Sequence, residues 1–309
     1  MRDRTEKVLF LATIDTECDH DARWARSKPL TFRSVREGVP QHLQPVFDAA
    51  DAVPTYLLTV EVLEDPESVA ALKGLRGRHE LGTHLHSAFI EPEKKFFDYA
   101  GVDSPDFQCH CAADIEFRKL DNLTRLFESR LGYRPRSFRA GRFGAGVNTI
   151  RSLARLGYTV DTSVTPHILW RHPDGDVDFR RAPEQPYFPA ADNLNLAGPD
   201  PGPVLEVPVT TKRRFLRGPH WLRPWMSTIS SMKAIVRDHL RRHRARKVVV
   251  LNMMFHSMEV IPQASPYPQT ESETRRFLDD LAAVLHWCRN QGVEFRGASD
   301  VRAEFAPVP

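Results

Sequence analysis

The sequence of 309 residues has few of the features that mark disulfide-linked, membrane-spanning or nucleic-acid-binding proteins. Its four cysteines, Cys18, Cys109, Cys111 and Cys288, are too few and too scattered to predict a disulfide framework. It contains no run of about 18 apolar residues, so neither a membrane-spanning helix nor stable membrane insertion is predicted. A formal net charge of +3 is too small to predict nucleic-acid binding.

The sequence also shows neither a signal peptide nor a linker between domains. The short apolar run near the N-terminus is followed at once by acidic residues and lacks a small-residue cleavage site, so no signal peptide is predicted and a cytoplasmic protein is expected. Because the sequence has no internal repeat and no linker, we expect one domain over residues 1–309. The proline- and glycine-rich stretch Pro166–Pro203 is predicted to be a long surface loop.

Short β-rich runs alternate with helical segments along most of the sequence. The β-rich runs include VLFLATI, VPTYLLTV, HELGTHLH and KVVVLNMMF. A strand followed by a helix, repeated about seven times, predicts parallel strands covered by helices in an α/β fold. At this length a barrel is favoured over an open sheet, although periodicity alone does not separate the two.

Chemically useful side chains follow several of the predicted strands. Asp15 and Glu17 end the first strand, and their two-residue spacing points both to one side of an extended chain. His84 and His86 repeat this spacing after another strand, and the remaining strand ends carry Arg139, Arg142, Asp161 and His256. Carboxylates near a core are costly unless they are paired or bind a cation. Since barrel enzymes draw their catalytic groups from the carboxyl ends of strands, we predict one site in which the acids lie beside histidines and a metal.

Five segments, in a fixed order, resemble the motifs of a known family. They are Thr13–Glu17 (TIDTE), Gly82–Ser87 (GTHLHS), Arg139–Gly144 (RAGRFG), Asp161–Ser163 (DTS) and Leu251–Ser257 (LNMMFHS). Together they resemble the NodB-homology polysaccharide deacetylases, carbohydrate esterase family four. The resemblance implies a distorted barrel of about seven parallel strands, with a divalent metal that is usually zinc and for which cobalt and nickel are alternatives. It also implies hydrolysis of the N-acetyl group of a sugar.

Three departures from the family pattern place the sequence in a divergent branch. Thr16 stands where the family has the second of two adjacent aspartates, so Glu17 becomes the predicted metal-binding carboxylate. Ala88 occupies the i+4 position of the histidine motif, and His86 is therefore the predicted second histidine ligand. The usual Arg-x-Pro-aromatic turn reads Arg-Ala-Gly-Arg here.

The resemblance implies a role for each residue of the predicted site. The implied metal ligands are Glu17, His84 and His86. Asp15 would act as general base, and Arg139 would keep its carboxylate ionised. His256 would protonate the leaving amine, and Asp161 would orient His256 or keep it charged.

The segment Lys212–Trp225 combines basic and aromatic residues in a predicted loop. Aromatic rings stack on sugars and guanidinium groups pair with phosphate, so Trp221 and Trp225 of this segment are predicted to bind substrate. Arg142, in the RAGRFG turn, is the third predicted substrate-binding residue. A cytoplasmic enzyme would not meet finished cell-wall polymer. The expected substrate is therefore an N-acetylated sugar on a nucleotide or lipid diphosphate carrier, or a related intracellular glycan precursor.

Two other functions remain open at this point. One is an amide hydrolase on the same barrel that acts on a formyl group or a small amide. The other is a non-catalytic relative that binds glycan without turnover, which the departures at Thr16 and Ala88 suggest. A competing zinc site at Cys109, His110 and Cys111 is disfavoured, because structural zinc ligands are usually separated by two or more residues.

Overall fold

One parallel β-sheet organises the computed structural model, which describes residues 5–92, 107–172, 175–214 and 217–305. The strands are β1 (Lys7–Thr16), β2 (Pro54–Leu58), β3 (Glu80–Leu85), β4 (Ser137–Ala140), β5 (Val160–Asp161), β6 (Leu169–Trp170), β7 (Val177–Asp178), β8 (Pro189–Ala190), β9 (Asn193–Ala197), β10 (Leu205–Glu206), β11 (Thr211–Arg214), β12 (Arg217–Trp221), β13 (Val248–His256) and β14 (Glu294–Phe295). The main sheet has the order β10-β5-β4-β3-β2-β1-β13, and β14 pairs with β1.

Helices connect the parallel strands and cover the outer face of the sheet. They are α1 (Gln44–Ala49), which continues a π-helical segment at Ser34–Leu43, α2 (Val60–Glu64), α3 (Pro66–Lys73), α4 (Ala113–Leu131), α5 (Val147–Leu156), α6 (Ile229–Arg242) and α7 (Glu271–Asn290). Local chemistry sets their ends: Thr270 and Glu273 form a reciprocal capping box at the start of α7, and Gly132 ends α4 with a φ of 84°. Among the described helices, none has both the length and the apolar character that a membrane span requires.

Alternation along β1 separates the barrel interior from the layer under the helices. Leu9 and Leu11 belong to a small apolar cluster inside the barrel, whereas Phe10, Ala12 and Ile14 pack in the larger core with residues of the helices. Successive side chains of a strand point to opposite faces. The odd-numbered residues at the end of β1 therefore face the barrel interior.

The barrel closes without a continuous ladder between its edge strands β10 and β13. Thr210, just after β10, donates its backbone N–H to the carbonyl of Asn252 at 2.9 Å. The side-chain amide of Gln185 bonds both backbone groups of Val250, at 2.9 and 2.8 Å. The prediction of a distorted barrel with about seven parallel strands is confirmed.

The stretch Pro166–Pro203, predicted as a long loop, contains short antiparallel pairs instead. In its described part, β6 pairs with β7 and β8 pairs with β9. A further hairpin, β11–β12, follows the last strand of the long stretch and leads into α6. These hairpins extend over one side of the barrel and supply part of the wall of the cavity described below.

Candidate active site

The carboxyl ends of β1, β3, β4 and β13 bring most of the predicted site residues to one end of the barrel. They border a cavity of about 390 Å³. The predicted residues that line it are Asp15, Glu17, His84, His86, Arg142 and His256. Lining residues that sequence reasoning missed include His20, Trp24, Arg26, Trp170, Arg223 and Tyr267.

Glu17, His84 and His86 converge on one point of this cavity. Glu17 Oε1 lies 3.4 Å from His84 Nε2 and 3.5 Å from His86 Nε2. A tetrahedral zinc ion with bonds of about 2.1 Å separates neighbouring ligand atoms by about 3.4 Å. Burial alone would raise the pKa of the Glu17 carboxyl, but the two histidines lower this pKa well below its ordinary value. The three side chains thus offer an ionised carboxylate and two imidazoles at distances that suit one ion.

The Nε2 atoms of both imidazoles face Glu17 and are available to a metal. His84 Nδ1 donates to the carbonyl of Arg139 at 3.0 Å, so Nε2 carries the lone pair. His86 Nε2 is buried and has no hydrogen-bond partner among the described residues. Burial lowers the pKa of His86 to about 4, which keeps this ring neutral as a ligand must be. The unpartnered Nε2 of His86, beside His84 Nε2 and the Glu17 carboxylate, fits a divalent metal held by Glu17, His84 and His86.

The turn after β4 fixes the position of His86. Gly141 packs so closely against this turn's neighbours that an added Cβ would lie 2.6 Å from the carbonyl oxygen of Leu85 and 2.9 Å from His86 Nδ1. A larger residue at 141 would displace the backbone or the ring. Close packing against Leu85 and His86 therefore explains why glycine stands at position 141 of the Arg-Ala-Gly-Arg turn.

Asp15 is held by Arg139. Arg139 is fully buried, and its Nη1 donates to Asp15 Oδ1 at 2.6 Å while its Nε donates to the carbonyl of Thr162 at 2.9 Å. Burial would raise the pKa of the Asp15 carboxyl, but the guanidinium of Arg139 lowers it below its ordinary value. The second oxygen, Asp15 Oδ2, lies 3.9 Å from both His84 Nε2 and His256 Nε2. One carboxylate oxygen is thus anchored and the other faces the cavity.

His256 is oriented by Glu259, which sequence reasoning did not single out. His256 Nδ1 lies 2.8 Å from Glu259 Oε1 and 3.1 Å from Arg223 Nη2, and Arg223 donates to the same carboxylate oxygen at 2.5 Å. Because an ionised carboxylate can only accept, Nδ1 donates to Glu259. Burial would raise the pKa of Glu259, but Arg223 and His256 lower it, so the carboxylate stays ionised. The hydrogen bond to Nδ1 turns Nε2 toward Asp15 and Glu17, at 3.9 and 4.0 Å. The spacing His-x-x-Glu in FHSME was the available signal.

Asp161 does not reach His256, which corrects the role that the sequence analysis gave it. Its neighbour Thr162 faces the interior and accepts a hydrogen bond from Arg139, so Asp161 points to the opposite side of the strand. There Asp161 accepts from Ser163 at 2.6 Å and pairs with Glu206 of β10. Burial raises the pKa of both carboxyls, and a proton shared between them accounts for their otherwise unpartnered oxygens. Asp161 thus joins β5 to β10 outside the barrel.

The two predicted substrate-binding tryptophans lie behind the cavity wall. Trp221 is 9% exposed and packs against Trp170, with ring centroids 6.1 Å apart. Trp225 stacks on Tyr267 at 5.8 Å. Neither is among the cavity-lining residues, whereas Trp170 and Tyr267 are. Trp221 and Trp225 therefore support the aromatic lining, and Trp24, which is 39% exposed, is the tryptophan beside the ring of His256, at 5.1 Å.

The disfavoured cysteine site finds no support in the geometry. Within the described ranges, the groups of side chains close enough to share an ion do not include Cys109, His110 or Cys111. Burial raises the pKa of Cys109 to about 12, which keeps its thiol protonated. The three-residue run instead forms part of a short helical turn, Gln108–His110, and the residue after it.

Solved structures similar to this chain cover almost its whole length. A probable polysaccharide deacetylase from Pseudomonas aeruginosa is 15% identical, with a TM-score of 0.53, over 97% of this chain and 91% of that one. Puue allantoinase is 14% identical, with a TM-score of 0.54, over 97% and 90%. A GH57 branching enzyme from Thermococcus kodakaraensis is 10% identical, with a TM-score of 0.54, over 98% and 72%. No family model and no curated protein matches the sequence.

These similarities concern the fold. They confirm, at the level of the fold, the resemblance to NodB-homology polysaccharide deacetylases that the five sequence segments indicated. Because a deacetylase, an allantoinase and a branching enzyme share this architecture, the fold does not select one reaction. The reaction must be argued from the side chains of the cavity.

Proposed function

We propose that this protein is a metal-dependent hydrolase that removes the N-acetyl group of a sugar. The observation that carries the proposal is that Asp15 and His256 both border the ligand set Glu17, His84 and His86. Asp15 Oδ2 lies 3.9 Å from His84 Nε2, His256 Nε2 lies 4.0 Å from Glu17 Oε1, and Asp15 Oδ2 and His256 Nε2 are 3.9 Å apart. Hydrolysis of an amide needs a base for the attacking water and an acid for the leaving nitrogen, and Asp15 and His256 can fill these two roles. The similarity to a probable polysaccharide deacetylase supports the same reaction.

Each polar side chain has a distinct task in this reaction. Glu17, His84 and His86 would hold a divalent metal, which would supply a Lewis acid for the attacking water and the acyl oxygen. Asp15 accepts the proton of the attacking water at Oδ2, because Oδ1 is held by Arg139. His256 delivers a proton from Nε2 to the leaving nitrogen, and the hydrogen bond from Nδ1 to Glu259 orients the ring for this transfer.

The lining of the cavity favours a sugar over a small formyl or amide substrate. Aromatic faces of Trp24, Trp170 and Tyr267 border the same space as the polar groups. Such faces pack against the apolar side of sugar rings, and a cavity of about 390 Å³ exceeds what a small amide requires. A panel of N-acetylated sugars, formylated amines and small cyclic amides tests this choice. Turnover of the small amides alone would support the alternative amide hydrolase.

Metal content tests the ligand assignment directly. The His86→Ala variant is expected to bind about one equivalent of zinc less than the wild-type protein and to lose deacetylation, because one ligand of three is removed. His79→Ala is the matched control, since His79 lies outside the cavity and contacts the carbonyl of Gly77. Equal zinc content in all three proteins, measured by mass spectrometry of the metal, would contradict the assignment. A zinc-loaded wild-type protein that binds glycan without turnover would support the non-catalytic alternative.

A second cavity supports an anionic carrier on the substrate. It has a volume of about 450 Å³, and its lining residues are His167, Asp178, Arg180, Arg181, Arg213, Arg214, Arg217 and Pro219. The hairpin β11–β12 connects the two cavities, because Trp221 supports the catalytic wall and Arg217 lies at the other end of β12. Four residues of strand span roughly 13 Å. We therefore propose that the substrate carries a diphosphate, as in a nucleotide-linked or lipid-linked intracellular glycan precursor.

Replacing Arg214 and Arg217 by serine tests this carrier. The double variant is expected to raise KM for a diphosphate-linked N-acetyl sugar about tenfold or more, because guanidinium–phosphate pairs are lost. KM for an uncharged N-acetylated oligosaccharide should stay unchanged, and Arg244→Ser is the control for the loss of an exposed positive charge elsewhere. Steady-state kinetics with both substrates decide the matter. Equal changes in KM for the charged and uncharged substrates would contradict the proposed carrier.

A further inference from the structure

A second cluster of histidines and a carboxylate lies away from the catalytic cavity. It forms where the end of α6 meets the segments that follow β5 and β7. One ligand atom each of Glu184, His239 and His243 lies within 4.8 Å of the others. His239 is fully buried, and the side chains of Glu184 and His243 are 12% and 18% exposed. None of the three lines the catalytic cavity.

His239 has a buried nitrogen whose lone pair meets no donor. Its Nε2 donates to the carbonyl of Thr211 at 2.9 Å, which leaves Nδ1 unprotonated in the neutral ring. His239 Nδ1 has no hydrogen-bond partner in the part of the chain that the structure describes. A buried polar atom without a partner destabilises the folded protein unless an ion or water occupies the place. The fixed tautomer makes Nδ1 the nitrogen that a metal would use.

The other two groups are arranged to complete a ligand set. His243 follows His239 by four residues, so the two rings lie on the same face at the end of α6, with centroids 5.5 Å apart. His243 Nε2 is 3.0 Å from one oxygen of Glu184, and His167 Nε2 is 2.6 Å from the other. The C-terminal end of a helix carries partial negative charge, which favours a cation at this place.

We propose that Glu184, His239 and His243 form a second divalent metal site, with His167 as a candidate fourth ligand. Two imidazoles and one carboxylate suit zinc or a similar borderline ion, and a fourth protein ligand would make the site closed and structural. Such a site ties two loop segments to α6. This inference does not depend on the proposed deacetylase activity.

Arg242 already pairs with the carboxylate of Glu184, so a metal at this place would have to share or replace that ion pair. It pairs with Glu184 through Nη1, and its Nε donates to Asp238 Oδ2 at 2.8 Å. When an ion occupies the oxygen of Glu184, Arg242 keeps its pairing with Asp238. Without an ion, the same groups form an ion-pair network. Metal analysis separates these two states.

The site would act on the catalytic cavity through a short segment of chain. His167 precedes Trp170 by three residues, and Trp170 stacks on Phe143 in the cavity wall, with ring centroids 5.3 Å apart. A metal that fixes His167 and Glu184 thus restrains the start of the hairpin β6–β7. The structure assigns this second ion a structural role, distinct from the chemistry of the first.

Zinc stoichiometry of the full-length protein tests the second site. The wild-type protein, saturated with zinc and dialysed, is expected to hold about two equivalents, and His243→Ala and His84→Ala are each expected to hold about one. The double variant should hold none. His220→Ala, which removes a histidine of the neighbouring hairpin, should keep both ions. Circular dichroism of each variant checks that it is folded.

A second variant protects the test against a change in folding. Glu184→Gln keeps the shape of the side chain and removes its charge, so it should weaken zinc binding at this site and leave the His84 site loaded. Zinc should raise the Tm of His84→Ala by several degrees, because a metal that binds only the folded protein stabilises the fold. It should leave the Tm of the His84→Ala, Glu184→Gln double variant unchanged, because both sites are then impaired. Wild-type stoichiometry in His243→Ala and in Glu184→Gln would overturn the second site.

Discussion

An Asp15→Asn variant loaded with metal is expected to hydrolyse an N-acetylated sugar roughly 100- to 10,000-fold more slowly than the wild-type protein. Asn has the size of Asp but cannot accept the proton of the attacking water. The metal should remain, because Glu17, His84 and His86 are unchanged. A fall in kcat at unchanged zinc content would therefore separate the base from the metal ligands.

Asp161→Asn is the matched control for this experiment. Both positions carry a buried carboxyl, and the sequence analysis placed both in the site, but Asp161 points away from the barrel interior and pairs with Glu206. An amide can replace a protonated carboxyl in that pair. We expect kcat to change less than about threefold in Asp161→Asn, because Asp161 bonds Ser163 and Glu206 and does not line the catalytic cavity. A loss in Asp161→Asn as large as that in Asp15→Asn would contradict the assignment of roles.

The parts of the site that sequence reasoning predicted share a simple physical cause. Continuous apolar runs identify β1 and β13 as strands buried on both faces, and side chains two residues apart on an extended strand must share a face. Asp15 and Glu17 follow this rule, as do His84 and His86. Parallel strands in a barrel bring their carboxyl ends to one rim, so His256 joins them without any contact being visible in the sequence.

The sequence predicted the wrong orientation for Asp161, because its strand is too short to show which side chains face the barrel interior. β5 contains only Val160 and Asp161, so no alternating pattern tells which side chain faces the interior. The structure decides it through packing, since Val160 belongs to the apolar cluster inside the barrel. A shift of one residue at this strand moves the carboxyl from the catalytic rim to the outer layer.

The other residues that sequence reasoning misplaced or overlooked owe their positions to contacts between distant segments of the chain. Trp221 and Trp225 have the composition of a sugar-binding loop, but pairing of β12 with β11 turns Trp221 toward Trp170 rather than toward solvent. Arg223 reaches Glu259 across more than thirty residues of chain, and no local pattern encodes that pair. Local periodicity thus predicts strands and their ends, whereas the orientation of loop side chains follows from tertiary packing.

His256→Asn is expected to separate amide from ester substrates. An amine leaves only when it is protonated, whereas an aryl oxide leaves as the anion, so loss of the acid should slow amide hydrolysis roughly 100- to 10,000-fold and aryl acetate hydrolysis much less. Glu259→Gln should give an intermediate loss on the amide, because the ring stays but loses the carboxylate at Nδ1. Rates on an N-acetyl sugar and an aryl acetate, compared at equal zinc content, measure the difference. Equal losses on the two substrates in His256→Asn would show that His256 does not protonate the leaving group and acts before the bond breaks.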